Sequence, residues 1–560
     1  MKSTIKEGSE VVSRRSTQSK TMYTKCLTGI AFALLAMQLG TAHAATLGYC
    51  AEASPETFDA PQGAAQSTAD ATMPIFDTLV GIKPGTTELF GALAERYETS
   101  ADGLVYTMHL RRGVKFHSNR SFRPTRDFNA DDVVFSWERQ RDEKHPFNKV
   151  GSGVYGHFYG QGLDKLVARL VKVDDYTVRF VLARPDVSFL ALMTTPTLGA
   201  IFSAEYAQSL LVAKTLDKLA TEPIGTGAFR LLTYQRDALI RYEAFREHWA
   251  FRANMPELAP QVDQLVFIIT PDPAVRYAKL LAGECHIVRF PNPADITLAR
   301  TNRTVKVVEI PSMDYAFWGF NTEKKPFDDQ RVRMALSLAI DKDAIMKTIF
   351  RGEIGVPAGG VVPPGLLGHD ASIKPYPHDV ARAKKLLAEA GLPNGFKTEI
   401  WAMPVVRAYM PNARRTAELM QANLAEIGVT AEIKSVEWAE YLRRSIAGEH
   451  QTVILGWNYA VPDPGQILTL GWTCAAAKNG LNRSRWCNLK FDEAVAAAGV
   501  VSDPAERTRR YVAAQKIFYD DAAALLIAYA AKIAIISPKV EGYKIAPVGP
   551  QFFVGMKVAN

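Results

Sequence analysis

Strand-like and helix-like patterns alternate throughout this chain of 560 residues. Short alternating or β-branched runs typical of strands occupy residues 104–110, 177–182, 229–233, 265–270, 305–310, 396–403, 430–436 and 452–457. Between them, residues 328–345 and 378–390 carry apolar side chains at three- and four-residue spacing, which predicts amphipathic helices. There is no internal repeat and no low-complexity linker. The interleaving therefore predicts a mixed α/β fold.

The N-terminus has the pattern of a secretory signal peptide. Lys25 precedes a short apolar core, and Ala42-His43-Ala44 provides a small-x-small cleavage site, so we predict a signal over residues 1–44. The region before the core is unusually long. Met22 would give a more ordinary signal, and an early start codon and a genuine long leader both remain open. No later stretch is long and apolar enough to span a membrane, so we expect an exported, soluble mature chain.

The formal net charge of +8 depends partly on this leader. Residues 1–44 hold six basic and two acidic residues, so the remainder carries a net charge of +4. No dense basic tract is left to contact a phosphate backbone. The composition therefore argues against a nucleic-acid partner.

Four cysteines follow the leader, at positions 50, 285, 474 and 487. An even number in an exported protein suggests disulfides, and three pairings are possible. Cys474 and Cys487 are close enough in sequence to close a small loop, and Cys50 and Cys285 would then clip the mature N-terminus to a distant segment. A lipid anchor at Cys50 is disfavoured because Tyr49 is bulky where a small residue is expected.

The sequence contains few features that resemble a catalytic motif. There is no Walker A loop, no Gly-x-Ser-x-Gly elbow, no His-Glu-x-x-His and no Cys-x-x-Cys. Gly225-Thr-Gly227 lacks the context of a dinucleotide loop and is typical of a turn before a strand. Acidic pairs such as Asp131-Asp132 open predicted helices, where the helix dipole accounts for them. The sequence predicts a protein that is not an enzyme, with no metal site and no cofactor.

Arg407 lies in the connection between the strand-like run 396–403 and a helix-like run beginning near Pro411. Its neighbours are apolar or aromatic, including Tyr409. A guanidinium in such a loop can hold a carboxylate through two parallel N–H donors. An exposed surface arginine on a turn is the alternative from local sequence alone.

Six segments resemble the signature of the family 5 extracytoplasmic solute-binding proteins, the receptors of ABC importers for peptides, nickel and oligosaccharides. They are residues 92–117, 129–136, 223–229, 270–279, 326–335 and 448–453. The resemblance extends from about Leu47 to the C-terminus and is nearest to the family's dipeptide receptors. It implies a periplasmic, monomeric ligand receptor without catalysis, which delivers a small peptide or peptide-like ligand to an inner-membrane permease and ATPase complex.

The resemblance also implies a two-lobed clamshell with two hinge crossovers. Lobe I would comprise residues 45–311 and 531–560, and lobe II residues 312–530. The same resemblance implies that Cys50 pairs with Cys285 and Cys474 with Cys487.

In the family's dipeptide receptors, the arginine at the position of Arg407 holds the ligand's C-terminal carboxylate. The resemblance therefore implies that Arg407 binds an anion and that Tyr409 lines the same pocket. The second anchor departs from the pattern. Those receptors share a Gly-Trp-x-Gly-Asp-x-x-Asp-Pro run, whose first aspartate pairs with the ligand's α-ammonium, whereas this chain has Gly456-Trp-Asn-Tyr-Ala-Val-Pro-Asp-Pro464. Ala460 replaces that aspartate, and Asp463 corresponds to the second one.

We expect Trp457, Asn458, Tyr459, Ala460 and Asp463 to belong to the ligand site, with Trp457 and Tyr459 packing on the ligand. Asp463 has the alternative role of capping the turn at Pro464. Two hypotheses about the ligand remain. Either Asp463 or another carboxylate compensates and the protein binds dipeptides, or it binds an acid without a free α-amine, such as an acylated or modified amino acid or peptide.

Three further alternatives remain open. One is a haem-like ligand with carboxylates. Another is a clamshell chaperone or sensor that is not coupled to import. The third is a secreted hydrolase, which would need a nucleophile and a base that the sequence does not show.

Overall fold

The structure is a computed structural model that describes residues 44–352, 354–478, 481–501 and 503–559. The predicted signal peptide lies outside the described residues apart from Ala44. Within the described ranges, no helix combines the length and the apolar character needed to cross a bilayer.

Strands occur along the whole described chain. They are β1 (Thr46–Ala51), β2 (Val80–Ile82), β3 (Leu89–Gly91), β4 (Ala94–Thr99), β5 (Val105–Leu110), β6 (Val167–Asp174), β7 (Thr177–Leu182), β8 (Phe229–Gln235), β9 (Leu239–Ala244), β10 (Gln264–Ile269), β11 (Ile287–Arg289), β12 (Lys306–Phe320), β13 (Gly355–Pro357), β14 (Lys397–Ala402), β15 (Thr430–Lys434), β16 (Thr452–Trp457), β17 (Ala524–Ile536), β18 (Val540–Glu541) and β19 (Lys557–Val558).

Helices separate many of these strands. They are α1 (Gln66–Thr72), α2 (Ala130–Arg141), α3 (Gly156–Gly160), α4 (Leu163–Leu166), α5 (Phe189–Leu192), α6 (Pro196–Gly199), α7 (Ala204–Ala213), α8 (Lys218–Thr221), α9 (Trp249–Arg252), α10 (Pro273–Leu281), α11 (Pro293–Thr301), α12 (Gln330–Ala339), α13 (Lys342–Ile349), α14 (Val380–Glu389), α15 (Ala413–Glu426), α16 (Trp438–Ile446), α17 (Pro464–Trp472), α18 (Cys474–Lys478), α19 (Leu489–Gly499) and α20 (Pro504–Asp520).

One mixed sheet runs through the whole molecule, in the order β15-β14-β16-β12-β17-β11-β1-β10-β9-β8, with β13 also paired to β17. Its centre is the antiparallel pair of long strands β12 and β17, in which 306–311 pairs with 531–536 and 315–319 with 524–529. The register shifts between Pro311 and Tyr315. A smaller antiparallel sheet has the order β4-β5-β7-β6.

Two large hydrophobic cores lie on either side of this central pair. Core 1 is built mainly from residues 47–287 and 534–556, and core 2 mainly from residues 315–533. The two long strands contribute side chains to both. The chain therefore passes from core 1 to core 2 along β12 and returns along β17.

The strand predictions agree closely with the structure. Residues 177–182 and 452–457 are strands with the predicted bounds, and 396–403 becomes β14. The helix predicted over 378–390 is α14, which begins after its N-cap Asp379. The positions of these strands and of this helix could be predicted because each segment has one clear apolar face.

The prediction of a single helix over residues 328–345 is wrong. The structure has two helices there, because Ile340 is extended (φ −85°, ψ 123°) and the Asp341 side chain accepts a hydrogen bond from the Ala344 N–H. Asp341 therefore caps a new helix in the middle of the apolar stripe. The first helix begins after Asp329, whose carboxylate accepts a hydrogen bond from the Arg331 N–H, so this acidic residue is the N-cap.

Both disulfides implied by the resemblance are present. Cys50 at the end of β1 bonds to Cys285, 235 residues away, and Cys474 bonds to Cys487, 13 residues away. The first bond fixes β1 to the segment that leads into β11.

Candidate functional site

A cavity of about 110 Å³ lies between the elements of core 1 and those of core 2. Its walls come from stretches that are far apart in sequence. From the core 1 side come Ala64, Ala65, Gln66, Ala69, His157, Thr195, Thr197, Gly549 and Pro550, and from the core 2 side Phe317, Arg407, Tyr409, Trp438, Leu442, Leu455, Gly456, Trp457, Asn458, Ala460, Gln466, Leu470 and Arg483. Five of the seven predicted ligand residues are among them: Arg407, Tyr409, Trp457, Asn458 and Ala460.

Arg407 sits in a tight turn between β14 and α15. Its backbone N–H and that of Met410 donate to each other's carbonyl, at 3.3 and 3.0 Å. The side chain is 1% exposed, so the alternative of a surface arginine is wrong. Its Nη1 lies 3.0 Å from Oε1 of Glu52, which follows β1 and is itself buried.

Aromatic rings and an unused donor complete the surroundings of Arg407. Its guanidinium lies 5.2 Å from the ring centroid of Phe290, which follows β11, and 5.2 Å from that of Trp438, the first residue of α16. Phe290 has a positive φ of 54°, which is uncommon for a bulky residue and is typical of constrained sites. The Arg407 Nη2 is buried and makes no hydrogen bond within the described part of the chain. A donor of this kind is costly to leave unsatisfied and suits an anion entering from the cavity.

Tyr409 lies beside Arg407 in the same wall. Burial raises the pKa of its phenol to about 12, and the neighbouring Arg407 charge partly opposes this shift. Its ring packs directly on Gly456, where a Cβ would lie 2.4 Å from the ring carbons. Glycine at the end of β16 therefore gives Tyr409 the space to reach the cavity.

The other end of the cavity, which is formed by residues at and just after the end of β16, differs from the end at Arg407 because its side chains are uncharged. Asn458 Nδ2 donates to Gln66 Oε1 at 2.9 Å, which joins the two sides of the cavity, while Asn458 Oδ1 is buried with no partner among the described residues. The Ala460 N–H donates to Gln466 Oε1 at 3.0 Å, and only a methyl group is offered where the family's aspartate would stand. Trp457 packs against Gly471, and its indole N–H makes no hydrogen bond in the described chain.

Tyr459 and Asp463 do not line this cavity. Tyr459 is fully buried, and its hydroxyl donates to the Val361 carbonyl at 3.1 Å. Asp463 caps α17, since its Oδ1 accepts from the Gly465 N–H at 2.8 Å, and its Oδ2 lies 2.8 Å from Nη2 of Arg507. The structure therefore separates these two predicted residues from the other five, and gives Asp463 the capping role that was its alternative.

Several residues of the cavity were missed from the sequence, namely Gln66, His157, Gln466 and Arg483. Burial lowers the pKa of His157 to about 4, helped by the positive charge of Arg483. Burial, together with the nearby Arg485, lowers the pKa of Arg483 to about 10. The local sequence does not identify these residues as part of a ligand site, because the pattern of each segment is accounted for by the packing of that segment itself.

The charged side chains in the described part of the cavity wall are all positive. Among the described residues that line the cavity, two are arginines and none is an aspartate or glutamate. Glu52 reaches Arg407 without lining the cavity itself. The arrangement suits a ligand that carries a carboxylate and offers no described acidic side chain to an ammonium group.

Comparison with known proteins identifies the family. The family model for bacterial extracellular solute-binding proteins, family 5 Middle, matches residues 88–479. The chain belongs to this family. It is 43% identical over 531 residues to the dipeptide-binding protein of Escherichia coli K12, covering 94% of this chain and 98% of that protein. It is 40% identical over 515 residues to heme-binding protein A of Haemophilus influenzae Rd, covering 92% of each.

The structural comparison supports the fold of this family 5 protein. The ABC transporter-associated periplasmic binding protein DppA from Helicobacter pylori, solved in complex with the peptide STSA, superposes with a TM-score of 0.87 at 32% identity, covering 92% of this chain and 98% of that one. The predicted two-lobed clamshell fold is confirmed.

Proposed function

We propose that this chain is the periplasmic substrate-binding component of an ABC importer and that it captures dipeptides or related small peptides through their carboxylate. The observation that carries the proposal is Arg407, a nearly fully buried guanidinium with an unused Nη2 in the wall of a cavity between the lobes. The relatives named for dipeptide binding and the peptide complex of the H. pylori protein support it. The protein acts by binding rather than by catalysis, and its partners would be a membrane permease and an ATPase.

The proposal includes the lobe boundaries given above, with lobe I at residues 45–311 and 531–560 and lobe II at 312–530. The shift in register of β12 after Pro311 and the pairing of 306–311 with 531–536 support a hinge at these positions. Residues 1–44 would be removed on export. Ligand binding favours the closed lobes because the ligand contacts both, and the closed surface is what a permease can recognise.

Within this site, Arg407 and Tyr409 would hold the carboxylate, and Trp457, Asn458 and Ala460 would face the remainder of the ligand. Tyr459 would support this wall from behind, where its ring packs beside Tyr315. Asp463 would hold α17 in place through its cap and its ion pair with Arg507.

A second candidate is a receptor for an acid that has no free α-amine. It is favoured by Ala460 and by the absence of any acidic side chain among the described residues of the cavity wall. Recruiting Asp463 instead would require breaking both its cap and its ion pair with Arg507. An ammonium buried without a counter-charge costs about 3–5 kcal/mol, or roughly 10² to 10³ in affinity.

The first test is native mass spectrometry of the exported protein, followed by denaturation and identification of the released molecule. Dipeptides or other small peptides with a free carboxylate would support the proposal. A single acid with a blocked or absent amine would support the second candidate. Release of a molecule without a carboxylate would contradict both, since neither would then use Arg407.

A further inference from the structure

The side-chain amide of Asn458 has its orientation fixed from inside core 1. Asp70 is buried and forms an ion pair with Arg289, whose Nη1 lies 2.8 Å from Oδ2 of Asp70. The other oxygen, Oδ1, accepts a hydrogen bond from Gln66 Nε2 at 2.8 Å. A carboxylate can only accept, so the NH₂ group of Gln66 faces Asp70 and its oxygen faces the opposite way.

That oxygen in turn sets the direction of Asn458. Gln66 Oε1 accepts from Asn458 Nδ2 at 2.9 Å, so the NH₂ group of Asn458 points at Gln66. The carbonyl oxygen Oδ1 is then the free end, and it is buried without a hydrogen-bond partner among the described residues. Asn458 lines the cavity two residues before Ala460. This end of the cavity therefore presents one oriented, uncharged acceptor.

An uncharged acceptor and a carboxylate select different ligands. An amide N–H needs only an acceptor, and a buried amide oxygen left without a donor costs free energy that such a ligand would recover. A buried ammonium needs a counter-charge as well, because hydrogen bonding alone does not offset the loss of hydration. No aspartate or glutamate among the described residues of the wall supplies that charge.

Building on the proposed function, we propose that Asn458 determines specificity at the amino end of the ligand by accepting a hydrogen bond from an uncharged N–H. The preferred ligands are then N-acylated amino acids or N-blocked peptides whose carboxylate binds at Arg407. Gln66, which also lines the cavity, is the positioning residue, since its hydrogen bond fixes the orientation of the Asn458 amide.

The experiment is isothermal titration calorimetry on the purified, ligand-stripped protein with a panel of dipeptides and the N-acetyl derivative of each. The wild-type protein is expected to bind the N-acetyl member of a pair at least about 10-fold more tightly. Ala460→Asp restores the carboxylate of the dipeptide receptors without touching Asn458, and is expected to reverse this preference. Equal or tighter binding of free dipeptides by the wild type would overturn the inference while leaving the proposed function intact.

A second variant tests Asn458 itself. Asn458→Ala is expected to weaken binding of an N-acetyl dipeptide by about 3- to 10-fold, the value of one hydrogen bond. It should weaken binding of the matching acetoxy analogue, in which an ester oxygen replaces the N–H, by less than this, so that the ratio of the two affinities falls. A variant that weakens both ligands equally would show a purely structural role and overturn the inference. If neither member of any pair binds the wild-type protein, the proposed function fails together with this inference.

Discussion

The end of the cavity at Arg407 is charged and supported from both lobes, whereas the end at Asn458 and Ala460 is built from neutral amides and a methyl group. Arg407 has an ion pair with Glu52, and its guanidinium lies 5.2 Å from the ring centroids of both Phe290 and Trp438. Among the described residues, the Asn458 side chain makes one hydrogen bond, to Gln66 on the opposite side of the cavity. The two ends thus offer a ligand different kinds of interaction.

The difference suggests that affinity and selectivity are separated within one site. A buried guanidinium gains strongly from a carboxylate, because charge-assisted hydrogen bonds are about twice as strong as neutral ones. A neutral amide gains less from any ligand, but it discriminates sharply between a charged and an uncharged amino end. A change at the first end should alter binding of all ligands, and a change at the second should alter their ranking.

The largest effect is expected from Arg407→Ala. The variant loses the only cavity-lining cation that the proposed function assigns to the carboxylate, and it leaves the buried Glu52 without its ion pair. Removing one member of a buried charge pair typically costs about 3–5 kcal/mol, so we expect affinity for every ligand to fall by about 10² to 10³. Titration calorimetry with the natural ligand measures the loss.

Two other variants control for charge and position. Arg407→Lys keeps the charge but not the planar fork, and should recover only part of the affinity. Arg415→Ala removes an exposed arginine from the following helix, where it pairs with Glu418, and should leave binding unchanged. If Arg407→Ala bound the natural ligand as tightly as the wild type, the charged end would have no part in recognition.

The second effect concerns stability at the same end. Glu52→Gln leaves Arg407 buried without its counter-charge, and we expect it to lower the free energy of unfolding by about 3 kcal/mol. A ligand carboxylate at Nη2 would replace part of the missing charge. Thermal denaturation should therefore show a larger ligand-induced rise in Tm for this variant than for the wild type.

Glu98→Gln is the matched control for this variant. Glu98 pairs with Arg96 on the surface, where both side chains are more than half exposed, so its loss should change stability by less than about 1 kcal/mol. An equal ligand-induced shift in the wild type and Glu52→Gln would mean that the ligand carboxylate does not approach Arg407.

The strands and helices could be predicted from the sequence because each has its own periodic pattern of apolar residues. The prediction failed within residues 328–345, where the apolar stripe continues across two helices and only the cap at Asp341 reveals the break. For Arg407 the local sequence left an exposed arginine as an alternative, and the resemblance to the family was needed to assign it to the site. The resemblance added the two disulfide pairings, which spacing alone left open.

The remainder of the site could not be predicted from local sequence. Glu52 and Gln66 reach Arg407 and Asn458 from positions more than 300 residues away, which only the tertiary fold brings together. Tyr459 was expected in the pocket because it lies in the segment 456–464 that corresponds to the family's ligand-binding motif, yet its hydroxyl donates to the Val361 carbonyl. The direction of a side chain beyond the end of a strand is set by tertiary packing and not by the period of the strand.

The smallest effect, and the sharpest test of the neutral end, is the pH dependence of binding between pH 7 and pH 9. The α-amine of a free dipeptide has a pKa of about 8, so it loses its proton in this window. A neutral amine requires no counter-charge at Asn458 and Ala460, and we expect free dipeptides to bind up to about 10-fold more tightly at pH 9. N-acetyl dipeptides have no such group, and their affinity should change by less than about twofold.

The titratable groups of the cavity wall hardly change their protonation between pH 7 and pH 9, so a change in affinity in this range comes from the ligand's amine. His157 has its pKa lowered to about 4, so it is neutral throughout, and Arg483, with its pKa lowered to about 10, stays mostly charged up to pH 9. The depressed pKa of His157 predicts a separate effect on stability at lower pH. Its contribution to stability is complete above the unfolded pKa of about 6.5 and is lost as the pH falls toward 4, so Tm should decline below pH 6.5. Tighter binding of free dipeptides at pH 7 than at pH 9 would instead require a negative charge at the amino end, and the contrast between the two ends would then be wrong.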